Sequence, residues 1–369
     1  MTYDIHRNRS GRRLTAALAL TVIAWCAGAR LAAADSGEVE LRTPQLRAIE
    51  RGQRYLVSRM NPNGYFGNGD GKSVAVSAAG ILALMVTGNM PGEGHYGRQV
   101  GAAVRYLLSQ SQERGLLAPL NTGQPMYHHG LGCLAVAEFW GQTMDPACKK
   151  VLKDGINLDI RTQNNRGGWR YQPRNTRNDD DISVTVMQAM ALRAARNSGI
   201  SVPVDTIKDA VNYIKECKTS TNNDLHLPGF SYTPGGNATF STTAAGCMSL
   251  MICGEYKTDD VKDGLDYLNK SREAKDDQQR WYIYGHFYAA QAMYQAGGDY
   301  WRNWYQNGLG AAGSHVPGIA EELTSLQQVT GENAGSFNIK QRTGPAIYDD
   351  AMCVLILGIP YRYLPIYQR

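Results

Sequence analysis

The apolar positions of this chain fall into two kinds of helical run that take turns along it. One kind is amphipathic, as in IKDAVNYIKEC (207–217) and VKDGLDYLNKS (261–271), with charges confined to one face. The other is apolar nearly all round and rich in Ala and Gly, as in SAAGILALM (77–85), GLGCLAVAEF (130–139), STTAAGCMSLM (241–251) and HFYAAQAMYQA (286–296). A helix that is apolar all round belongs inside a protein, and a half-polar one outside. The pattern predicts inner helices over 77–87, 130–140, 182–197, 242–253, 283–296 and 351–357.

The outer helices share a signature. A small residue stands three positions before an aromatic-aliphatic pair: Gly52 before Tyr55-Leu56, Ala103 before Tyr106-Leu107, Ala210 before Tyr213-Ile214 and Gly264 before Tyr267-Leu268. That spacing puts both on one helical face. Glycine and a large apolar residue follow as a turn, at Gly64 and Phe66, Gly115 and Leu117, Gly167 and Trp169, and Gly229 and Phe230. The sixth unit is the least regular, with its outer helix expected over 300–307 and a long loop to Gly335-Ser336-Phe337. Hairpins of this size cannot bury their apolar faces alone and must stack. The last run, MCVLILGIP (352–360), is as apolar as any other, so an open end there would be exposed. The expectation is an all-α protein, an α/α toroid (α6/α6 barrel) of about six hairpins. An open armadillo-type stack is the alternative.

Composition is ordinary for a globular protein, 43% hydrophobic and 19% charged, with a net charge of +5. Part of that charge sits in Arg7, Arg9, Arg12 and Arg13, ahead of an apolar run over 14–29 and the small residues Ala32, Ala33 and Ala34. This reads as a signal peptide over 1–34, leaving one domain over 35–369 in the periplasm or outside the cell. The apolar run is shorter than the ~20 residues a spanning helix needs. No basic stripe with interleaved aromatics points to nucleic acid. Cys133, Cys148, Cys217, Cys247, Cys253 and Cys353 remain after cleavage, most within apolar runs, where cysteine acts as a small hydrophobe. Their spacing argues against a dense disulfide framework, and no C-x-x-C pair suggests structural zinc.

Gln163, Gly167 and Trp169 form a QxxxGxW signature. With the repeated small residue and aromatic pair, the chain resembles the squalene cyclase and protein prenyltransferase superfamily, and most closely its stand-alone bacterial repeat proteins. The resemblance implies the toroid over nearly all of the mature chain. Squalene–hopene cyclases carry DxDDTA, whose middle Asp protonates an alkene. The matching positions are Asn178, Asp179, Asp180, Asp181, Ile182 and Ser183, so the resemblance implies Asp180 as the acid beside Asp181 and Asp179. Asn178 replaces the first Asp. The zinc site of prenyltransferase β subunits has no counterpart, because Asp350 and Cys353 are wrongly spaced.

In a toroid the inner helices all begin at one end, so the loops entering them converge on one mouth. Those loops carry His128 and His129, Asp179 to Asp181, Tyr284 and His286, and Asp349 and Asp350, with Trp169 nearby. Convergent polar groups over an apolar pocket make a binding site. The expected occupant is an apolar, isoprenoid-like small molecule or a peptide segment; contact with a membrane surface is a further expectation. Each residue also has a plainer role. Aspartates at a helix start serve as caps, the aromatics as packing, and His286 as a hydrogen-bonded core histidine. Arg166 and Arg170 flank the aspartates and can hold them ionised. No metal or cofactor is expected. A terpene cyclase-like enzyme and a polysaccharide lyase-like toroid are the two alternatives to a cavity that only binds.

Overall fold

The computed structural model describes residues 39, 41–67, 73–175, 179–221, 223–275, 281–308, 316–342 and 344–368. The leader read over 1–34 and Asn178 of the acid motif lie outside them. Residues from Val39 onward form one compact unit.

Six inner helices are α2 (Val74–Met85), α4 (Pro125–Thr143), α6 (Ile182–Asn197), α8 (Phe240–Ile252), α10 (Tyr282–Ala296) and α13 (Ala346–Gly358). Each packs on the next, and α13 packs back on α2, which closes the ring. Around them stand α1 (Thr43–Ser58), α3 (Gly97–Ser109), α5 (Pro146–Thr162), α7 (Val204–Glu216), α9 (Asp259–Glu273) and α12 (Ile319–Leu326). This is the α/α toroid expected from the pattern, with no β-strand beyond isolated bridges among the described residues. Nearly every residue of α2, α8 and α13 is buried, whereas α7 buries one stripe through Ala210, Tyr213 and Ile214. The six described cysteines form no disulfide. Among the described residues no helix is long and apolar enough to cross a membrane.

One contact repeats around the ring. At five of the turns, among the described residues, a residue after the turn donates its backbone N–H to a side chain early in the following inner helix. Phe66 donates to Ser77 Oγ (3.3 Å), Leu117 to His129 Nδ1 (3.0 Å) and Trp169 to Thr185 Oγ1 (3.1 Å). Phe230 donates to Thr243 Oγ1 (3.0 Å) and Phe337 to Asp350 Oδ1 (2.8 Å). A buried N–H without a partner would cost about 1–3 kcal/mol, so these inner helices must supply an acceptor there. After Ser77, His129 and Thr243, a glycine three residues further on makes room for the turn's apolar side chain. A Cβ added at Gly80 would stand 2.8 Å from the Phe66 ring, and one at Gly246 2.6 Å from Phe230.

Closure reuses the link found within the chain. Gln163 Nε2 donates to Gly167 O (2.8 Å) in its own turn and to Thr206 O (2.9 Å) on the next outer helix. Gln327 Nε2 donates likewise to Gly335 O (3.1 Å) and to Ala48 O (2.8 Å) on α1.

The sixth outer helix is not over 300–307. The chain there forms α11 (Gly298–Arg302) and a π-turn (Asn303–Asn307) that bury Trp301, Trp304 and Tyr305. Tyr305 Oη donates to Leu357 O at 2.7 Å, tying this segment to the end of α13. The helix that ends in the Gln327 link is α12. Large aromatics at 300–305 imitate the outer-helix signature, but they anchor an added layer.

Candidate functional site

The mouth is built from the chain that follows two turns. Tyr171 stands two residues after Trp169, and Tyr232 two after Phe230. Their carbonyls satisfy the free N–H groups at the starts of the preceding inner helices. Met126 N donates to Tyr171 O (3.1 Å), and Ile182 N to Tyr232 O (3.0 Å). That fixes both tyrosines at the rim, and their hydroxyls hydrogen-bond to each other. The guanidinium of Arg170 lies over both rings, 4.5 Å from the Tyr171 centroid and 5.6 Å from that of Tyr232. Arg170 Nε is 3.5 Å from Asp179 Oδ1, and Nη1 is 3.6 Å from Asp181 Oδ2. Cation–π contacts add about 0.5–2 kcal/mol according to how dry they are.

Asp181 is the N-cap of α6. Its Oδ1 accepts from Val184 N (2.9 Å) and from Ser183 Oγ (2.5 Å). Ser183 Oγ also lies 2.5 Å from Tyr127 Oη, so a hydroxyl chain runs from the buried carboxylate to the rim. Burial pushes the Asp181 carboxyl above its usual range, against the hydrogen bonds from Ser183 and Val184 and the charge of Arg170. Asp181 is fully buried, whereas the Asp179 side chain is 36% and Arg170 28% exposed. Asp179, Arg170, Tyr127, Tyr171 and Tyr232 can meet a ligand; Asp181 holds them.

Asp180, the acid implied by the resemblance, faces its own turn. Its Oδ2 accepts from Asn164 Nδ2 (2.6 Å) and lies 3.7 Å from Arg166 Nε. Trp169 is buried in the same turn, its ring N–H donating to Asp159 O (2.9 Å).

Two residues expected at the mouth, His129 and Asp350, occupy the turn-pinning position instead. His129 Nδ1 accepts from Leu117, while Nε2 lies 3.3 Å from Asp159 Oδ1 and 3.3 Å from Gly155 O. Burial opposes charge on this ring while Cys133 and Asp159 favour it, and the bond received from Leu117 decides for the neutral form. Asp350 pins Phe337, and burial raises its carboxyl to about 6. His286 holds the matching place on α10, boxed by Tyr282 (4.4 Å), Phe240 (4.8 Å) and Trp304 (5.8 Å). The structure brings none of the three to the axis.

His128 is half-buried and accepts from Ala75 N through Nδ1 (3.3 Å), joining α4 to the start of α2. Burial lowers its pKa to about 4. Asp349 is buried, 3.7 Å from Arg342 Nη1. Tyr284 does face the axis. Its hydroxyl donates to Ser183 O (3.3 Å) across the ring, and its own ring stacks edge-on against Tyr288 at 4.8 Å. Tyr127, from the opposite side, bears on Tyr284, Tyr288 and Tyr348. Tyrosines therefore close the axis where an apolar pocket was expected. At the far end the 3-10 turn Pro365–Tyr367 packs on α4, α6 and α10.

The fold and site define an α/α toroid with a polar, aromatic mouth, and the comparisons agree on the toroid. No protein-family model and no curated relative matches this chain. A glycoside hydrolase family 76 mannosidase from Bacteroides thetaiotaomicron is similar, at 11% identity and a TM-score of 0.57, over 86% of this chain and 98% of that one. An inactive double Asp-to-Asn variant of an alpha-1,6-mannanase from Salegentibacter sp., bound to alpha-1,6-mannotriose, has 10% identity and a TM-score of 0.53, over 86% and 99%. A type II terpene cyclase from Scytonema aligns at a TM-score of 0.35 and 15% identity, over 87% and 98%. At these identities the likeness to the two sugar-acting proteins is one of fold alone.

Proposed function

We propose that this chain is an exported toroid that binds a saccharide at its mouth. The observation that carries the reading is Arg170, held over the rings of Tyr171 and Tyr232 and between Asp179 and Asp181. Tyr171 and Tyr232, each part-exposed beside that guanidinium, offer a sugar their ring edges and hydroxyls. A fixed guanidinium and a part-exposed carboxylate receive its hydroxyls through charge-assisted hydrogen bonds. Sugar-acting proteins among the fold neighbours support the class of ligand without assigning it. An isoprenoid would need an apolar axis, and that space holds Tyr284, Tyr288 and Tyr348, none more than 9% exposed. A cyclase role for Asp180 needs a protonated carboxyl aimed into a dry cavity, and Arg166 stands 3.7 Å from it. The leader read over 1–34 would place the protein in the periplasm or outside the cell.

Calorimetry of the purified protein against neutral oligosaccharides, alpha-1,6-mannotriose among them, tests this. Binding should weaken about tenfold or more in Tyr171→Ala and Arg170→Ala, as loss of one hydroxyl or charge-assisted contact implies. An isoprenoid carried through purification, seen by native mass spectrometry, with no saccharide binding, would overturn the reading in favour of an apolar ligand.

A further inference from the structure

One hydroxyl at the mouth, that of Tyr127, has a fixed direction. Asp181 is fully buried, and its carboxylate can only accept. Val184 N donates to its Oδ1 at 2.9 Å, and Arg170 Nη1 lies 3.6 Å from its Oδ2. The helix start and the guanidinium both favour the ionised form. Ser183 Oγ donates to the same Oδ1 at 2.5 Å. A serine hydroxyl holds one proton, and here the carboxylate takes it. Tyr127 Oη lies 2.5 Å from Ser183 Oγ. A hydrogen bond between two hydroxyls needs a proton from one of them. Ser183 has none left, so Tyr127 donates inward.

Tyr127 therefore turns only lone pairs outward. Asp181 and Ser183 are buried and Tyr127 is half-buried, so Tyr127 is the member of this chain of groups that a ligand can reach. Its ring stands 5.8 Å from that of Tyr171, beside the tyrosines that carry Arg170. Burial and the Asp181 charge raise its phenol above the ordinary pKa, so it keeps its proton at pH 8. The other polar groups of the mouth discriminate less. Either hydroxyl of the Tyr171–Tyr232 pair can be the donor, so that pair adapts to a ligand group of either kind. Asp179 only accepts, but its side chain is 36% exposed and water competes for it.

We infer that Tyr127 is the specificity-determining residue of the mouth: it accepts a hydrogen bond from one hydroxyl of the ligand and selects against analogues that carry no proton there. This rests on the saccharide reading of the site and names what the saccharide must present, a free hydroxyl facing Tyr127. An ether oxygen, a fluorine or a carboxylate in that place sets lone pairs against lone pairs.

Calorimetry on the full chain at pH 8 tests this with alpha-1,6-mannotriose, maltotriose and cellotriose, each beside its singly deoxyfluorinated analogues. Fluorine is close to a hydroxyl in size and carries no proton. For a sugar that binds, one analogue should bind about three- to tenfold more weakly, the worth of one hydrogen bond. In Tyr127→Phe the sugar should fall to the level of that analogue, while the analogue binds as it does to the parent chain. The unchanged analogue shows that the variant is folded, and the non-additive losses identify the pair. Ser183→Ala releases the Tyr127 proton and should shrink the discrimination, and Ser183→Thr, which keeps a hydroxyl, should restore it. Additive losses, or a preference kept in Tyr127→Phe, would overturn the role of Tyr127 and leave the saccharide reading standing. Binding of none of the three sugars by the parent chain would overturn the saccharide reading and this inference with it.

Discussion

Gln327 Nε2 donates to the carbonyl of Ala48, 279 residues earlier in the chain, at 2.8 Å. The same amide bonds Gly335 O, and its oxygen accepts from Arg51 Nε at 3.0 Å. One buried side chain thus ties the sixth turn to the first outer helix. Gln327→Ala strips partners from two carbonyls and a guanidinium, and should destabilise the fold by about 2–4 kcal/mol. Gln163→Ala breaks the matching link inside the chain. Both should lower the urea midpoint, but only Gln327→Ala should speed hydrogen exchange in α1 and α13 together. Equal exchange in the two variants would mean that the seam is no weaker than any other junction.

The turn glycines act through shape. Gly167 has φ +94°, and a Cβ added there would stand 1.9 Å from Asp209 O on α7. Backbone cannot retreat as a side-chain tip can. Gly167→Ala should cost about 3 kcal/mol or more from left-handed strain and overlap together. Gly123→Ala, with nothing within 4 Å of the added atom, should change little. Thermal unfolding of the two variants checks the contrast, and a mild Gly167→Ala would show that the turn can shift away from α7.

The ring was legible in the sequence because helices of two polarities alternate over most of the chain, and because runs such as 77–85 and 241–251 are rich in Ala and Gly and apolar nearly all round. The sixth outer helix was not, since Ile319–Leu326 lacks the aromatic-aliphatic pair while Trp301, Trp304 and Tyr305 imitate it nearby. The site suffered from helix geometry. Successive residues turn by about 100°, so a polar residue near an inner-helix start faces the axis or the turn according to one step in register. Tyr284 faces the axis and His286 does not, and composition is blind to the difference. The repeat itself held the missing clue. Trp169 and Phe230 are each followed two residues on by tyrosine, and those two tyrosines hold Arg170.

Asp350 separates hydrogen bonding from charge. Its carboxylate accepts from Phe337 N, and burial raises its pKa to about 6 against an ordinary 3.8. A raised folded pKa favours the protonated form in the native state. Its stability contribution is therefore full below about 4 and is lost as pH rises through about 6. Asp350→Asn keeps an acceptor and removes the charge, so it should match the parent near pH 4 and exceed it at pH 8. Asp350→Ala removes the acceptor and should be destabilised by about 1–3 kcal/mol at both. Urea titrations at the two pH values distinguish these. An Asn variant weaker than the parent at pH 8 would show the Phe337 bond needs the ionised oxygen.

Glu138 makes the largest such prediction. It is 1% exposed on α4, and its Oε2 accepts from Ile366 N at 3.3 Å, within the 3-10 turn that packs on three inner helices. Gln295 Nε2 holds the carbonyl of the same Ile366 at 3.5 Å, and the Tyr367 hydroxyl is the other titratable group bearing on the site. Burial raises the Glu138 carboxyl to about 8 from 4.5, with the Ile366 bond opposing. The sign is again that of a raised acid. Glu138 contributes most below about 4.5 and progressively less as pH climbs through about 8. At 1.36 kcal/mol per unit, the whole swing is of order 4–5 kcal/mol. Glu138→Gln keeps an acceptor for Ile366 and cannot ionise. It should cancel most of that slope, leaving the variant more stable than the parent by several kcal/mol at pH 8.5 and about equal at pH 5. Matched urea unfolding curves at those two pH values decide it, and parallel slopes in parent and variant would show that Glu138 does not titrate in this range.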